Sequence, residues 1–476
     1  MKKKDDKNVI FRRIPSVDYL LESSVIRGFL LTTPRALVLR AIHYVLDELR
    51  QKINRAHRED ELPDLALPAV VDQINKQISI LSQPSLIQVI NATGVIVHTN
   101  LGRSLLAKKI ITPFNTVAGC YSNLEYDLKT GKRGSRYVHV EGILIELTGA
   151  ESAMVVNNNA AAVLITLDTI AKDKEVIISR GQLVEIGGSF RIPEVMRKSG
   201  ARMFEIGTTN KTTIDDYEAA IVSNTALLLK VHTSNFQTVG FTEEVPLDAL
   251  VALGKKYNLP VMEDLGSGCF IDFSLYGLTK EPTVQDSVAI GADIITFSGD
   301  KMLGGPQCGI ILGKEKIISA IKANQLARAL RVDKLTLFAL QETLSLYRDE
   351  KKAIQQIPTL RMICQPYQSV CQRAKKLLNM IGRVDNTNIS FRLCDGFSRV
   401  GGGAMPLEEI RSRLLCISPG KLSAPYIVNL LHSYNPPIIA RLEKDQVLLD
   451  VRTIQEKELK IVAEAIKLLS ATNAIS

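Results

Sequence analysis

From residue 90 onward, short β-rich runs alternate with helical stretches, and this alternation is the strongest constraint on the fold. Ala153–Val156 precedes AAAVLITLDTIA, Glu175–Ser179 precedes a polar loop, and Ala226–His232, Leu259–Asp264 and Asp293–Ser298 follow in turn. Strand, loop and helix repeated in this way predict a mainly parallel sheet covered by helices, because a parallel crossover needs enough chain to hold a helix. In such sheets ligands gather beyond the carboxyl ends of the strands. After about residue 385 the bend VGGGA, the helix-like LEEIRSRLL, the hairpin-like PIIARLEKDQVLLDV and a terminal amphipathic helix predict a small α/β domain.

Before residue 69 the pattern is different. VDYLLESSVIRGFL and PRALVLRAIHYVLDELRQKI carry apolar residues at helical spacing, with Pro34 suited to a first helical turn and Arg40, Arg50, Lys52, Arg55 and Arg58 on the other face. Residues 1–60 hold 13 Lys and Arg against 8 Asp and Glu, so this segment carries over half of the chain's net charge of +9. A small basic helical module is an electrostatic footprint compatible with nucleic acid, and equally with a solvated face of a docking module. ELPDLALP, residues 61–68, marks the expected linker. The expected domains are therefore 1–68, 69–350 and 351–476.

The seven cysteines include no C-x-x-C pair, so a disulfide framework or thiolate zinc site is not supported, and buried free thiols in a reducing compartment are expected. No apolar run follows the basic N-terminus and none reaches the length of a membrane span, which predicts a cytoplasmic protein with no membrane segment.

Candidate chemistry collects at the strand ends. Asn157, Asn158, Asn159 and Ala160 lie between a strand and a helix, where amide groups and free N–H groups suit a phosphate; an Asn run also builds plain caps and turns. Asp264 closes a strand just before LGSGC, although an N-cap or salt-bridged aspartate would look the same. Ser298 ends the strand 293–298, and Asp300 and Lys301 follow it in FSGDKMLGGPQCG. A lysine and a carboxylate on neighbouring strand ends, with a phosphate cup on an earlier one, are what pyridoxal 5′-phosphate requires: an imine to the cofactor aldehyde, a partner for the ring nitrogen and a grip on the phosphate. Ser298-x-x-Lys301 also fits an S-x-x-K serine-enzyme motif, but the partner K-T-G at Lys129–Gly131 lies upstream, in the wrong order. Arg103, and Arg328 with Arg331 three residues apart on one expected helix face, suit an oxyanion.

These residues and their neighbours, INATGVIVHTNLGR, NLEYDLKTGKRGSRYVHVE, VVNNNAAAVL, EIGTTN, EDLGSG, FSGDKMLGGPQCGI, RALRVDKLTL and GGGAMPLEEI, resemble in this order the bacterial L-seryl-tRNA(Sec) selenium transferases, the selenocysteine synthases. The resemblance runs from about residue 80 to 455. It implies an α/β fold-type I pyridoxal phosphate transferase with a mainly parallel sheet covered by helices, a small N-terminal helical domain and a C-terminal α/β domain. It further implies conversion of L-seryl-tRNA(Sec) and selenophosphate to selenocysteinyl-tRNA(Sec) and phosphate through a cofactor-bound aminoacrylate. Lys301 would be the Schiff-base lysine and Cα base, Asp264 the ring-nitrogen partner, and Asn157–Ala160 the phosphate cup. Asp300, Arg103, Arg328 and Arg331 would surround the selenium donor. The N-terminal helices would bind the tRNA, and the chain would assemble as a ring of dimers. Departures are minor: NQLA stands before RALRVDK, and Cys308 stands where the family commonly has alanine.

The chemistry fits independently, since a carbanion at Cα delocalised into a protonated ring lets serine's poor hydroxyl leaving group depart as water. Gln182, after the strand 175–179, is expected over the cofactor ring. His98, His139 and His232 are the histidines near these motifs, with structural roles expected, and no metal site is expected. Two other readings compete: a pyridoxal phosphate lyase or β-replacement enzyme for a free amino acid, and an RNA-binding assembly protein with a vestigial cofactor site.

Overall fold

The computed structural model describes residues 8–56, 58, 61–186, 190–233, 236, 238–382 and 389–471. The chain divides into two compact units that meet at Gln88 and Val89.

In the first unit, helices Val17–Glu22 and Ser24–Thr32 begin at Ser16 and Ser23, whose hydroxyls accept from Tyr19 N–H and Ile26 N–H. Arg35–Arg55 follows directly after Pro34, and Val38, Ile42, Val45 and Leu49 form its buried stripe. Arg40, Arg50, Lys52 and Arg55 are exposed, as their spacing predicted. The chain then turns through 61–66 into helix Leu67–Ser82, whose Val70, Ile74 and Ile78 complete the same core. The expected boundary at 68 therefore falls within a first helical turn, and residues 69–82 pack with the N-terminal helices.

The second unit is built on a seven-stranded sheet of β1 (Ser152–Val156), β2 (Glu175–Ser179), β3 (Arg202–Ile206), β4 (Thr225–Val231), β5 (Val261–Gly266), β6 (Ile294–Ser298) and β7 (Gly309–Gly313). Its order is β1–β7–β6–β5–β4–β2–β3. Every pairing is parallel except those of β7, which runs antiparallel to β1 and β6. The central strands are buried along their whole length because helices cover both faces. Successive side chains feed two cores: Ile177, Leu228 and Ile295 on one face, Ile178, Leu229 and Ile294 on the other.

A second, antiparallel sheet follows, with β8 (Ile389–Ser398), β9 (Ile410–Pro419), β10 (Arg441–Glu443) and β11 (Gln446–Asp450) in the order β8–β9–β11–β10. Helices Tyr367–Ile381, Ala424–His432 and Leu459–Ala471 cover it, with Leu377, Ile427 and Ile466 sharing a core with Leu415 and Leu449 of the sheet. The expected hairpin and terminal helix are present. LEEIRSRLL is not a helix: residues from Ile410 lie in β9, held between two antiparallel neighbours that the local spacing did not reveal. Cys394 and Cys416 are diagonal neighbours across β8 and β9 with Cα atoms 6.4 Å apart, and they are disulfide-bonded. That corrects the expectation of free thiols for this pair; the other five cysteines are free. No helix among the described residues is long and apolar enough to cross a membrane.

Candidate active site

Parallel pairing in register brings the carboxyl ends of β4, β5 and β6 to one edge, with Val231 beside Asp264 and Asp264 beside Thr296. Asp264 is only 2 % exposed. Its Oδ1 accepts from Asn159 Nδ2 at 2.8 Å and from Thr296 Oγ1 at 3.1 Å. Burial pushes this carboxyl above the usual aspartate range, against the lowering effects of those donors and of positive Lys301.

Lys301 is 5 % exposed, on the turn after β6. The turn is tied on several sides. Gly299 N–H donates to Cys308 O at 2.9 Å, Gly305 N–H to Gly299 O at 2.8 Å, Met302 N–H to Ser267 O at 3.0 Å, and Ser104 Oγ to Lys301 O at 2.7 Å. Gly268, at φ +68°, passes so close that a Cβ would lie 2.5 Å from Ser298 O. Ser298 itself is buried, closing β6 opposite Gly309. Among the described residues the Lys301 side chain makes no hydrogen bond or ion pair; burial lowers its pKa, and Arg103 adds to this, while Asp264 and Asp300 act in the opposite sense.

Arg103 reaches the same turn from a tight loop. Gly102 and Arg103 both have left-handed backbones, at φ +89° and +59°, and Arg103 Nη1 lies 2.8 Å from Oδ2 of buried Asp300. Arg328 and Arg331 do not share a helix face, because helix Leu326–Ala329 has only four residues. Arg331 lies beyond it in a backbone bridge to Val156, while Leu330 O accepts from Asn157 N–H at 3.0 Å, so Arg331 sits beside the end of β1.

Of the expected phosphate cup, Asn158 caps helix Asn159–Ile170 by accepting from Ala161 N–H at 2.9 Å. Asn159 and Ala160 open that helix, so their N–H groups have no intrahelical acceptor. Gln182 is buried, and its Oε1 accepts from Val231 N–H at 2.9 Å at the end of β4.

Several residues escaped the sequence reading. Thr296 and Ser104 carry no motif signal. Glu125 gathers arginines: Arg136 Nε donates to it at 2.9 Å, Arg133 Nη2 at 3.1 Å, and Arg331 Nη1 lies 3.9 Å away. Arg136 first, then its other basic neighbours, holds the Glu125 carboxyl below its ordinary value. His98 accepts from Asn100 N–H at 3.2 Å, and His139 pairs with Leu124 O at 3.1 Å. His232 differs: its Nδ1 is 3.8 Å from Glu281 Oε1, and among the described residues neither atom has a hydrogen-bond partner. Burial, then Lys230 and Lys301, lowers its pKa to about 4, while burial raises Glu281 to about 7.

Among the described residues, a buried amine that makes no hydrogen bond or ion pair, a buried carboxylate on the adjacent strand, a buried Asn159 Oδ1 without a donor and an open helix start fit pyridoxal phosphate.

Comparison with known proteins agrees with that fit. A family model described as L-seryl-tRNA selenium transferase matches residues 89–455, and one described as selenocysteine synthase N terminal matches residues 11–50. The chain is 50 % identical over 466 residues to an L-seryl-tRNA(Sec) selenium transferase of Clostridium botulinum, covering 98 % of this chain and 99 % of that one. It is 47 % identical over 461 residues to the enzyme of that name from Alkaliphilus oremlandii, covering 97 % and 98 %. A solved D-glucosaminate-6-phosphate ammonia-lyase superposes with a TM-score of 0.57 at 22 % identity, over 82 % of this chain and 98 % of that one, which is a likeness of fold.

Proposed function

The chain belongs to the L-seryl-tRNA selenium transferase family, and from that premise we propose the roles of its residues. It is a pyridoxal 5′-phosphate-dependent transferase of selenocysteine biosynthesis, acting on L-seryl-tRNA(Sec). The selenium donor is selenophosphate. In the net exchange a Cβ–Se bond replaces the seryl Cβ–O bond, the donor's P–Se bond breaks and phosphate is released.

Pyridoxal phosphate supplies an aldehyde that captures amines and a ring that withdraws electrons. Lys301 Nζ holds the cofactor between turnovers and takes the seryl Cα proton, a task helped by burial, which disfavours its charged form. Asp264 keeps a proton on the ring nitrogen. The helix start at Asn157–Ala160 grips the phosphate, with Gln182 and Ser298 bordering the ring. Arg103, Arg328 and Arg331 bind the donor's oxyanion, and Asp300 orients Arg103 through their 2.8 Å pair. The basic helices of the N-terminal unit bind the tRNA, residues 89–350 carry catalysis and residues 351–476 form the small domain. Exposed Tyr121 and Leu128, flanking the Glu125 arginine cluster, support a homo-oligomer, a ring of dimers with sites between subunits. The reaction takes place in the cytoplasm.

The observation that carries this reading is the unpartnered Lys301 amine buried beside Asp264. The test is to incubate the holoenzyme with seryl-tRNA(Sec) and selenophosphate and identify the aminoacyl group. Selenocysteine is expected. Unchanged serine, with borohydride fixing a pyridoxyl group to Lys301 in a parallel unreacted sample, would overturn the substrate assignment.

A further inference from the structure

Asn159 has the sequence position of a phosphate ligand, but its side chain is turned to another task. Its Nδ2 donates at 2.8 Å to the same Asp264 oxygen that Thr296 reaches at 3.1 Å. Among the described residues its own Oδ1 is buried without a donor, so the bond to Asp264 accounts for the orientation of the amide. Reversing the amide would set an oxygen against the carboxylate and lose the bond. The neighbouring asparagines are occupied in other ways: Asn158 Oδ1 caps Ala161 and Asn157 N–H is taken by Leu330 O.

We propose that Asn159 and Thr296 are positioning residues for Asp264, fixing its Oδ1 and leaving Oδ2 for the cofactor's ring nitrogen, while the cofactor phosphate is held by the backbone at the start of helix Asn159–Ile170. The inference rests on the pyridoxal phosphate assignment. Burial raises the Asp264 carboxyl, and the two donors on one of its oxygens act against that, favouring the ionised form that would keep the ring nitrogen protonated. Lys301, on the turn after β6, is the charged group facing Asp264 from another element, and Gly266 N–H supports it from its own strand. Glu263, next along β5, lies with Ser287 and Lys230.

The test compares Asn159→Ala, Thr296→Val and Thr296→Ser holoenzymes with the parent protein. The readouts are the dissociation constant of pyridoxal phosphate, the pH dependence of the bound cofactor's absorbance, and kcat separately from KM. Loss of one hydrogen bond to a charged group corresponds to about one pKa unit. Asn159→Ala and Thr296→Val are each expected to move the acid limb of the absorbance profile up by about one unit. Both lower kcat about tenfold with KM little changed and cofactor affinity within about threefold. Thr296→Ser, which keeps the hydroxyl, shifts the limb less than Thr296→Val. A fall of tenfold or more in cofactor affinity in Asn159→Ala with an unmoved acid limb would make Asn159 a phosphate ligand and overturn the proposal, as would an unmoved limb in Thr296→Val. Failure of the parent protein itself to take up the cofactor would instead overturn the cofactor assignment.

Discussion

Gly268→Ala offers a direct test of whether the position of Lys301 is set by close backbone packing. At φ +68° an alanine pays roughly 1–2 kcal/mol for its left-handed backbone. Its methyl would also lie 2.5 Å from Ser298 O and 2.9 Å from Phe297 Cδ2, where ordinary contact begins at 3.4 Å, so the end of β6 must move by about 0.9 Å. Overpacking of this kind adds about 1–3 kcal/mol, giving about 2–5 kcal/mol of destabilisation in all. Ser298 is three residues before Lys301, so the displacement passes into the turn that carries the amine. A misplacement of about 1 Å at reacting groups costs on the order of a hundredfold in rate. Gly277→Ala is the control, because Gly277 has φ +78° but nothing within 4 Å of its added methyl. It carries the backbone penalty without the push. Thermal unfolding and the rate of selenocysteinyl-tRNA formation are measured on both variants. Gly268→Ala is expected to lose about a hundredfold in rate and Gly277→Ala to lose stability alone. Equal rates in the two variants would refute the claim that contact with Gly268 fixes the lysine.

Lys301→Ala should abolish the borohydride-fixed pyridoxyl group seen by mass analysis and lower turnover by at least about 10²–10⁴-fold, the usual worth of a positioned base. Arg103→Ala and Arg331→Ala should raise KM for selenophosphate more than they lower kcat, in steady-state assays with seryl-tRNA(Sec) held saturating; unchanged KM in both would remove the arginines from the donor site. Glu281→Gln should stabilise the protein at alkaline pH. The folded carboxyl, near 7, lies above the ordinary 4.5, so ionising it costs stability as pH rises from 4.5 to about 7, and the cost persists above that. The variant escapes a penalty of up to about 3 kcal/mol near pH 8, and the difference vanishes below about pH 4.5, as thermal unfolding at the two extremes would report. His232, with the opposite slope, is present in both proteins.

Local sequence was a sound guide where a residue's role depends on its immediate neighbours. Glu175–Ser179 was delimited to the residue, since an uninterrupted apolar run bounded by polar residues fits a strand covered on both faces. The amphipathic helix Arg35–Arg55 was equally plain, because its buried stripe repeats at helical spacing. It failed where a partner distant in sequence decides the conformation. LEEIRSRLL has residues that suit a helix, yet β8 and β11 on either side make it a strand. Arg328 and Arg331 have helical spacing, yet pairing with Val156 draws Arg331 out of the helix.

The same division runs through the site. Local pattern places chemical groups at or near strand ends, with Lys301 after β6, Asp264 two residues before the end of β5 and the asparagines after β1, because strand, turn and helix boundaries are local matters of propensity and capping. Which of them act on one another depends on the assembled fold. Asn159 is 105 residues from Asp264, and Arg103 is 197 from Asp300. Their bonds exist because sheet order, the reversed strand β7 and glycines without a Cβ bring those backbones together. Burial is likewise a property of the whole fold, and it is burial that makes Lys301 a weaker base than a free lysine and raises the Asp264 carboxyl above the usual aspartate range.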